Sequence, residues 1–289
     1  MTFTGLHLPL ITPFTTTGAL AEDALERLAH TVVDDGADGI VALGTTAEAS
    51  SLTADERARV LEICAAVCAE RAVPLTVGVE SASTASTAEA LAALDRRATA
   101  ALVPVPAFVR PSEEGVIAHF TALTAAAPVP LIIYHIPYRT ARPLSAGTLL
   151  SLAAIPGVAG FKHAAGGIDD ATITFMADRP DRTAVLAGDD RFASPLLALG
   201  ASGAILASAH LATARFARLV ALWRAGQADA ARALGHRLAA LSDALFAEPN
   251  PVVIKAVLAE QGRIPSRAVR LPLLPATPEA TGTALQRAS

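Results

Sequence analysis

Lysine is nearly missing from this chain. Lysine and arginine together number 23 among 289 residues, yet only Lys162 and Lys255 are lysine. With a net charge of -4 and no basic block interleaved with aromatics, the sequence offers nothing to a polyanion, and nucleic acid is not an expected partner. Aromatic residues make up only 4%. No apolar run approaches the roughly 18 residues a membrane-spanning helix needs, so a membrane partner is not expected either. The opening "MTFTGLHLPLITPF" lacks a basic lead and is broken by proline, which fits neither a secretory nor a transit signal, and the cytosol is the expected compartment. Only two cysteines occur. Cys64 and Cys68, four apart on one helical face with no further ligands nearby, read as core packing and not as a metal site.

The sequence is rich in short apolar runs. Eight of them, at 6–14, 38–45, 73–79, 100–106, 129–136, 158–164, 183–188 and 203–208, alternate with Ala-rich amphipathic segments. One such segment opens with Thr53 and Glu56 in a capping-box pattern. Strands that are apolar throughout belong to a parallel sheet covered on its outer face, and eight strand–helix units predict a closed α/β barrel, the (β/α)8 or TIM barrel. Residues 1–224 are expected to form this barrel, and 225–289 a C-terminal helical extension of the same domain. A doubly wound open sheet is the alternative, but the first strand is not followed by a Gly-rich dinucleotide turn.

Barrel enzymes carry their chemistry at the C-terminal ends of the strands. There the sequence places Thr45 and Thr46, Phe108, Tyr134, Arg139, Lys162, and Asp189 with Asp190. In "GFKHA", strand alternation points Gly160, Lys162 and Ala164 inward and Phe161 and His163 outward. An arginine would keep the charge but could not act as an amine nucleophile, so a lysine retained in an apolar strand suggests Schiff-base chemistry. An ordinary lysine leaves about 1 amine in 2,500 neutral at pH 7, and burial raises that fraction. The alternative for Lys162 is an ion pair at the rim. Tyr134 reads equally as a core aromatic, Thr45–Thr46 as turn chemistry and Arg139 as a solvated loop arginine. Asp189 and Asp190 are expected to cap the helix beginning near Arg191. Lys255, on a later helix, is expected to lie far from the strand ends.

In order along the chain, "TPF", "GTTAE" (44–48), "RPSEEG" (110–115), "YHIPYRT" (134–140), "GFKHA" (160–164), "GDD" (188–190) and "EPNP" (248–251) resemble the dihydrodipicolinate synthase and N-acetylneuraminate lyase family of pyruvate-dependent class I aldolases. The resemblance implies that Lys162 forms an imine with pyruvate, that the Thr45–Thr46 turn binds its carboxylate and that Tyr134 shuttles protons. Thr45 relays them. Gly188 and Ile205 would complete the substrate pocket. Arg139 favours the synthase branch, whose acceptor aldehyde carries a carboxylate. The resemblance also implies a homotetramer or homodimer, with no metal or organic cofactor and a small-molecule substrate. Three positions depart from the pattern: Phe108 replaces a tyrosine that reaches across the dimer interface into the proton relay, "KHAAGG" replaces a more polar run, and Ala49, Ala54 and Arg57 replace the groups of an allosteric lysine pocket. Two alternatives stay open, a related 2-keto acid aldolase or dehydratase and a keto-acid-binding barrel without turnover.

Overall fold

The computed structural model describes residues 3–79 and 83–288. Eight parallel strands close into a barrel in sequence order, β1 to β8, with β8 pairing back onto β1. They are β1 Gly5–Pro9, β2 Gly39–Ala42, β3 Leu75–Gly78, β4 Ala100–Pro104, β5 Leu131–His135, β6 Val158–His163, β7 Ala184–Ala187 and β8 Gly203–Ile205. The helices are α1 Glu22–Asp34, α2 Ala54–Glu70, α3 Thr84–Ala92, α4 Glu113–Ala126, α5 Pro137–Thr140, α6 Ala146–Ala154, α7 Asp170–Asp178, α8 Ala193–Ala198, α9 Ala209–Arg224, α10 Ala228–Leu245, α11 Val252–Glu260 and α12 Pro278–Ala288.

Each apolar run yields a strand shorter than itself. The run at 6–14 contributes only its residues 6–9 to β1; beyond them Ile11 donates its N–H to His210 and Thr12 its hydroxyl to Ala47, so the segment stays buried without continuing as a strand. Several helices start on side-chain caps in the preceding loops. Thr53 and Glu56 form the expected capping box on α2, while Ser112, Ser145 and Asp169 cap α4, α6 and α7. Such caps satisfy amides that the first helical turn leaves unpaired.

Two apolar layers follow from strand alternation. Outward residues join the helices in the main core, where Phe161 of β6 meets Phe175 of α7 edge-on at 5.0 Å. Inward residues such as Val41, Leu102, Ile132, Leu186 and Ile205 fill the barrel itself. The register between β5 and β6 slips by one residue near Leu131, after which Tyr134 pairs with Lys162. That slip sets which residues of β6 face inward beside Tyr134. Cys64 and Cys68 are free, buried in α2, and their thiols are pushed up by burial.

Candidate active site

A cavity of about 320 Å³ opens at the C-terminal ends of the strands. Lys162 supplies an amine at its base, with Nζ 4.2 Å from the centroid of the Tyr134 ring. The lysine is 6% exposed. Burial lowers its pKa from 10.5 to about 8; the nearby Asp190 charge opposes that fall and Arg139 adds to it. At pH 7, about one such amine in ten is neutral.

Gly188 makes the room for this amine. A Cβ there would lie 2.6 Å from Cγ and 3.0 Å from Cε of Lys162, inside ordinary carbon contact.

On the β2 side, the chain leaves the strand through Leu43 at φ 55°, makes a short 3-10 turn over Thr45–Ala47, and reverses at Glu48 with φ 52°. Thr46 is buried and its hydroxyl accepts a 2.9 Å hydrogen bond from the Asn250 amide. Thr45, Thr46 and Asn250 all line the cavity. Arg139, exposed on α5, lines it from the β5 side, and Arg191, ion-paired with Asp243 at 3.1 Å, from the β7 side.

The structure thus gathers Thr45, Thr46, Tyr134, Arg139, Lys162 and Gly188 around one space. Two expected residues stand apart. Ile205 is buried in the apolar layer inside the barrel, and Phe108, at φ 66°, is 97% exposed on the loop after β4; neither lines the cavity.

The expected helix cap is also corrected. α8 starts at Ala193, preceded by Phe192, which makes no side-chain cap. Asp190 instead turns inward, is buried, and accepts the Ser208 N–H at 2.5 Å. Burial raises its pKa to about 6, with Lys162 pulling the other way. The local sequence "GDDRF" reads as a cap because the partner that claims the carboxylate lies beyond the next strand. Asn250 escapes sequence reasoning for the same reason: its partner is 204 positions away.

Behind the site, His163 faces outward and pairs through Nε2 with the Thr172 hydroxyl at 3.0 Å, and Thr172 in turn donates to Asp169 at 2.6 Å. Since that hydroxyl gives its only proton to the carboxylate, the His163 Nε2 carries the proton between them. No group of three or more His, Cys, Asp or Glu side chains suited to a metal ion occurs among the described residues.

An amine, a phenol and a hydroxyl turn gathered at the strand ends of a closed barrel define an enzyme-like site for a small molecule. The Dihydrodipicolinate synthetase family matches residues 2–287, and the chain belongs to that family. It is 38% identical over 275 residues to a 4-hydroxy-tetrahydrodipicolinate synthase of Moorella thermoacetica, covering 93% of this chain and 92% of that one. Among solved structures, a chloride-inhibited dihydrodipicolinate synthase of Acinetobacter baumannii complexed with pyruvate matches with TM-score 0.94 and 33% identity, covering 99% of both chains. The 4-hydroxy-tetrahydrodipicolinate synthase of Methylacidiphilum fumariolicum matches with TM-score 0.93 and 30% identity, over 99% of this chain and 96% of that one.

Proposed function

We propose that the chain condenses pyruvate with an aldehyde that carries a carboxylate, through an imine on Lys162, and that it works as a 4-hydroxy-tetrahydrodipicolinate synthase. One observation carries this: the only lysine in the cavity is buried, has its pKa lowered to about 8, and stands beside Tyr134. The neutral amine attacks the keto carbon, and loss of water from the carbinolamine leaves an iminium. Removal of a methyl proton gives the enamine, whose carbon attacks the aldehyde; the amine of the bound aspartate semialdehyde then attacks the regenerated imine carbon, which closes the ring and frees Lys162. Tyr134, whose ring centroid lies 4.2 Å from the amine, moves the protons in this reading. Thr45 and Thr46 hold the keto-acid carboxylate, Arg139 takes the carboxylate of the acceptor, and Asp190 offsets the iminium charge.

Phe108 and Val109 are 97% and 60% exposed, and Tyr138 beside the cavity is 88% exposed. These apolar groups support at least a homodimer, in which Phe108 meets the site of a second copy. Because phenylalanine brings no hydroxyl, it also favours a second reading, the same imine chemistry on a different aldehyde. No helix among the described residues is long and apolar enough to cross a membrane. Unpaired, buried cysteines suit a reducing compartment, and we place the enzyme in the cytosol.

Borohydride trapping with pyruvate, followed by intact mass and peptide mapping, tests the chemistry. A reduced adduct on Lys162, lost in Lys162→Ala, is expected. A folded protein that gives no adduct would overturn the proposal. Turnover with aspartate semialdehyde against other aldehydes then separates the two acceptors.

A further inference from the structure

Contrary to the sequence expectation, Lys255 reaches the loop that follows a strand end. It is 0% exposed on α11, and its Nζ donates to Glu48 Oε1 at 2.7 Å while lying 4.0 Å from the centroid of the Phe14 ring. Glu48 is the residue that closes the Thr45–Thr46 turn: its N–H bonds to the Thr45 carbonyl at 3.1 Å. Its left-handed backbone is unfavourable for a side chain of this kind and persists only where the surroundings hold it. Its carboxylate is held at both oxygens, by Lys255 and, at Oε2, by the backbone N–H of Arg270 at 2.8 Å. Arg270 in turn grips Glu56 through both terminal nitrogens and lies 4.3 Å from the same Phe14 ring.

Stability alone does not explain a charge pair at this depth, because burying two ions costs roughly what their attraction returns, and an apolar pair of equal volume often does better. Nor does surface charge, since Lys255 has no surface. The ammonium sits between the Glu48 carboxylate at 2.7 Å and the Phe14 ring centroid at 4.0 Å, and Lys255 is one of only two lysines in a chain that uses arginine almost everywhere else. Asn250, five positions before Lys255, bonds the Thr46 hydroxyl from the same C-terminal segment. The turn is therefore gripped twice from one direction.

We infer that Lys255 is a positioning residue: through Glu48 it fixes the shape of the Thr45–Thr46 turn, and so the seat of the keto-acid carboxylate. The seat itself rests on the function proposed above; the grip on the turn does not.

The test uses Lys255→Met and Glu48→Gln, with Leu234→Ala in α10 as a control that loosens the core elsewhere. Hydrogen exchange without ligand reads the turn directly. Amides of residues 44–52 in either variant should exchange about tenfold faster than in wild type or control, matching loss of one charged hydrogen bond. In borohydride trapping, the pyruvate concentration for half-maximal labelling should rise by about tenfold while the plateau on Lys162 is kept. Unchanged exchange over 44–52 in a folded variant, or an equal rise in the control, would overturn the inference. If Lys255→Met does not fold, Glu48→Gln decides by the same readouts. A wild-type protein that traps no pyruvate would defeat the proposed function, and the exchange experiment would still decide whether Lys255 shapes the turn.

Discussion

Replacing Gly188 by alanine adds one methyl group at the point where the cavity is tightest. Gly188 is not among the left-handed glycines, so its backbone accepts an alanine, and its N–H continues to bond the His163 carbonyl at 2.8 Å. The new Cβ would stand 2.6 Å from Lys162 Cγ, 3.0 Å from its Cε and 3.3 Å from Ala164 Cβ. Carbon atoms rest at about 3.5 to 4.0 Å, so the lysine stem must retreat by about 1 Å. Crowding of this kind costs about 1–3 kcal/mol in stability, while displacing a reacting group by about 1 Å lowers its rate about a hundredfold. The two effects separate in the assay. Thermal melting should show a folded protein with Tm lowered by only a few degrees, and the rate of borohydride-trapped adduct at saturating pyruvate should fall about a hundredfold. A folded Gly188→Ala protein that traps pyruvate within about threefold of the wild-type rate would refute the idea that Gly188 makes room for the amine.

Three further outcomes are expected. Trapping should speed up with pH through about 8, because the attacking form is the neutral amine and burial puts the Lys162 pKa there; a rate flat between pH 6.5 and 9 would contradict this. Acid should destabilise the fold. Burial holds His135, His163 and His210 neutral, with pKa values near 3, 4 and 4 against 6.5 when unfolded, so their stabilising contribution is complete above 6.5 and is lost as pH falls toward 4. Asp190, raised to about 6, binds a proton in the folded state and offsets one of these three. The net loss between pH 6 and 5 is about 2–3 kcal/mol, to be read from urea unfolding, and equal stability at pH 7 and 5 would count against buried neutral histidines. Phe108→Tyr should raise turnover with pyruvate and aldehyde by about tenfold or more if a hydroxyl is all the relay lacks; an unchanged rate would remove Phe108 from the relay.

The barrel was legible because parallel strands buried on both faces leave apolar runs, and eight of these alternate with amphipathic segments along the chain. Their lengths were less so. Residues 10–14 are as apolar as β1 and as buried, yet they leave the sheet to meet His210 and Ala47, which local sequence cannot announce. In the site, Lys162 stood out by its rarity and its neighbours by strand alternation, and both kinds of signal are local. What escaped was set by distance: Asp190 is taken by Ser208, Thr46 by Asn250, and Glu48 by Lys255. Ile205 points inward as expected but packs among the apolar side chains inside the barrel and does not line the cavity, a distinction that inward alternation does not register.

Both lysines of the chain are internal, one 6% and the other 0% exposed. The outer surface therefore carries no side-chain amine at all. Reagents that acylate, glycate or cross-link lysine find no target on the outside of this protein, apart from whatever α-amine the chain bears. Reductive amination by a keto acid normally competes with a background of surface lysines. Here that background is absent, and once peptide mapping has set the α-amine aside, a mass increment on lysine reports the interior of the protein alone.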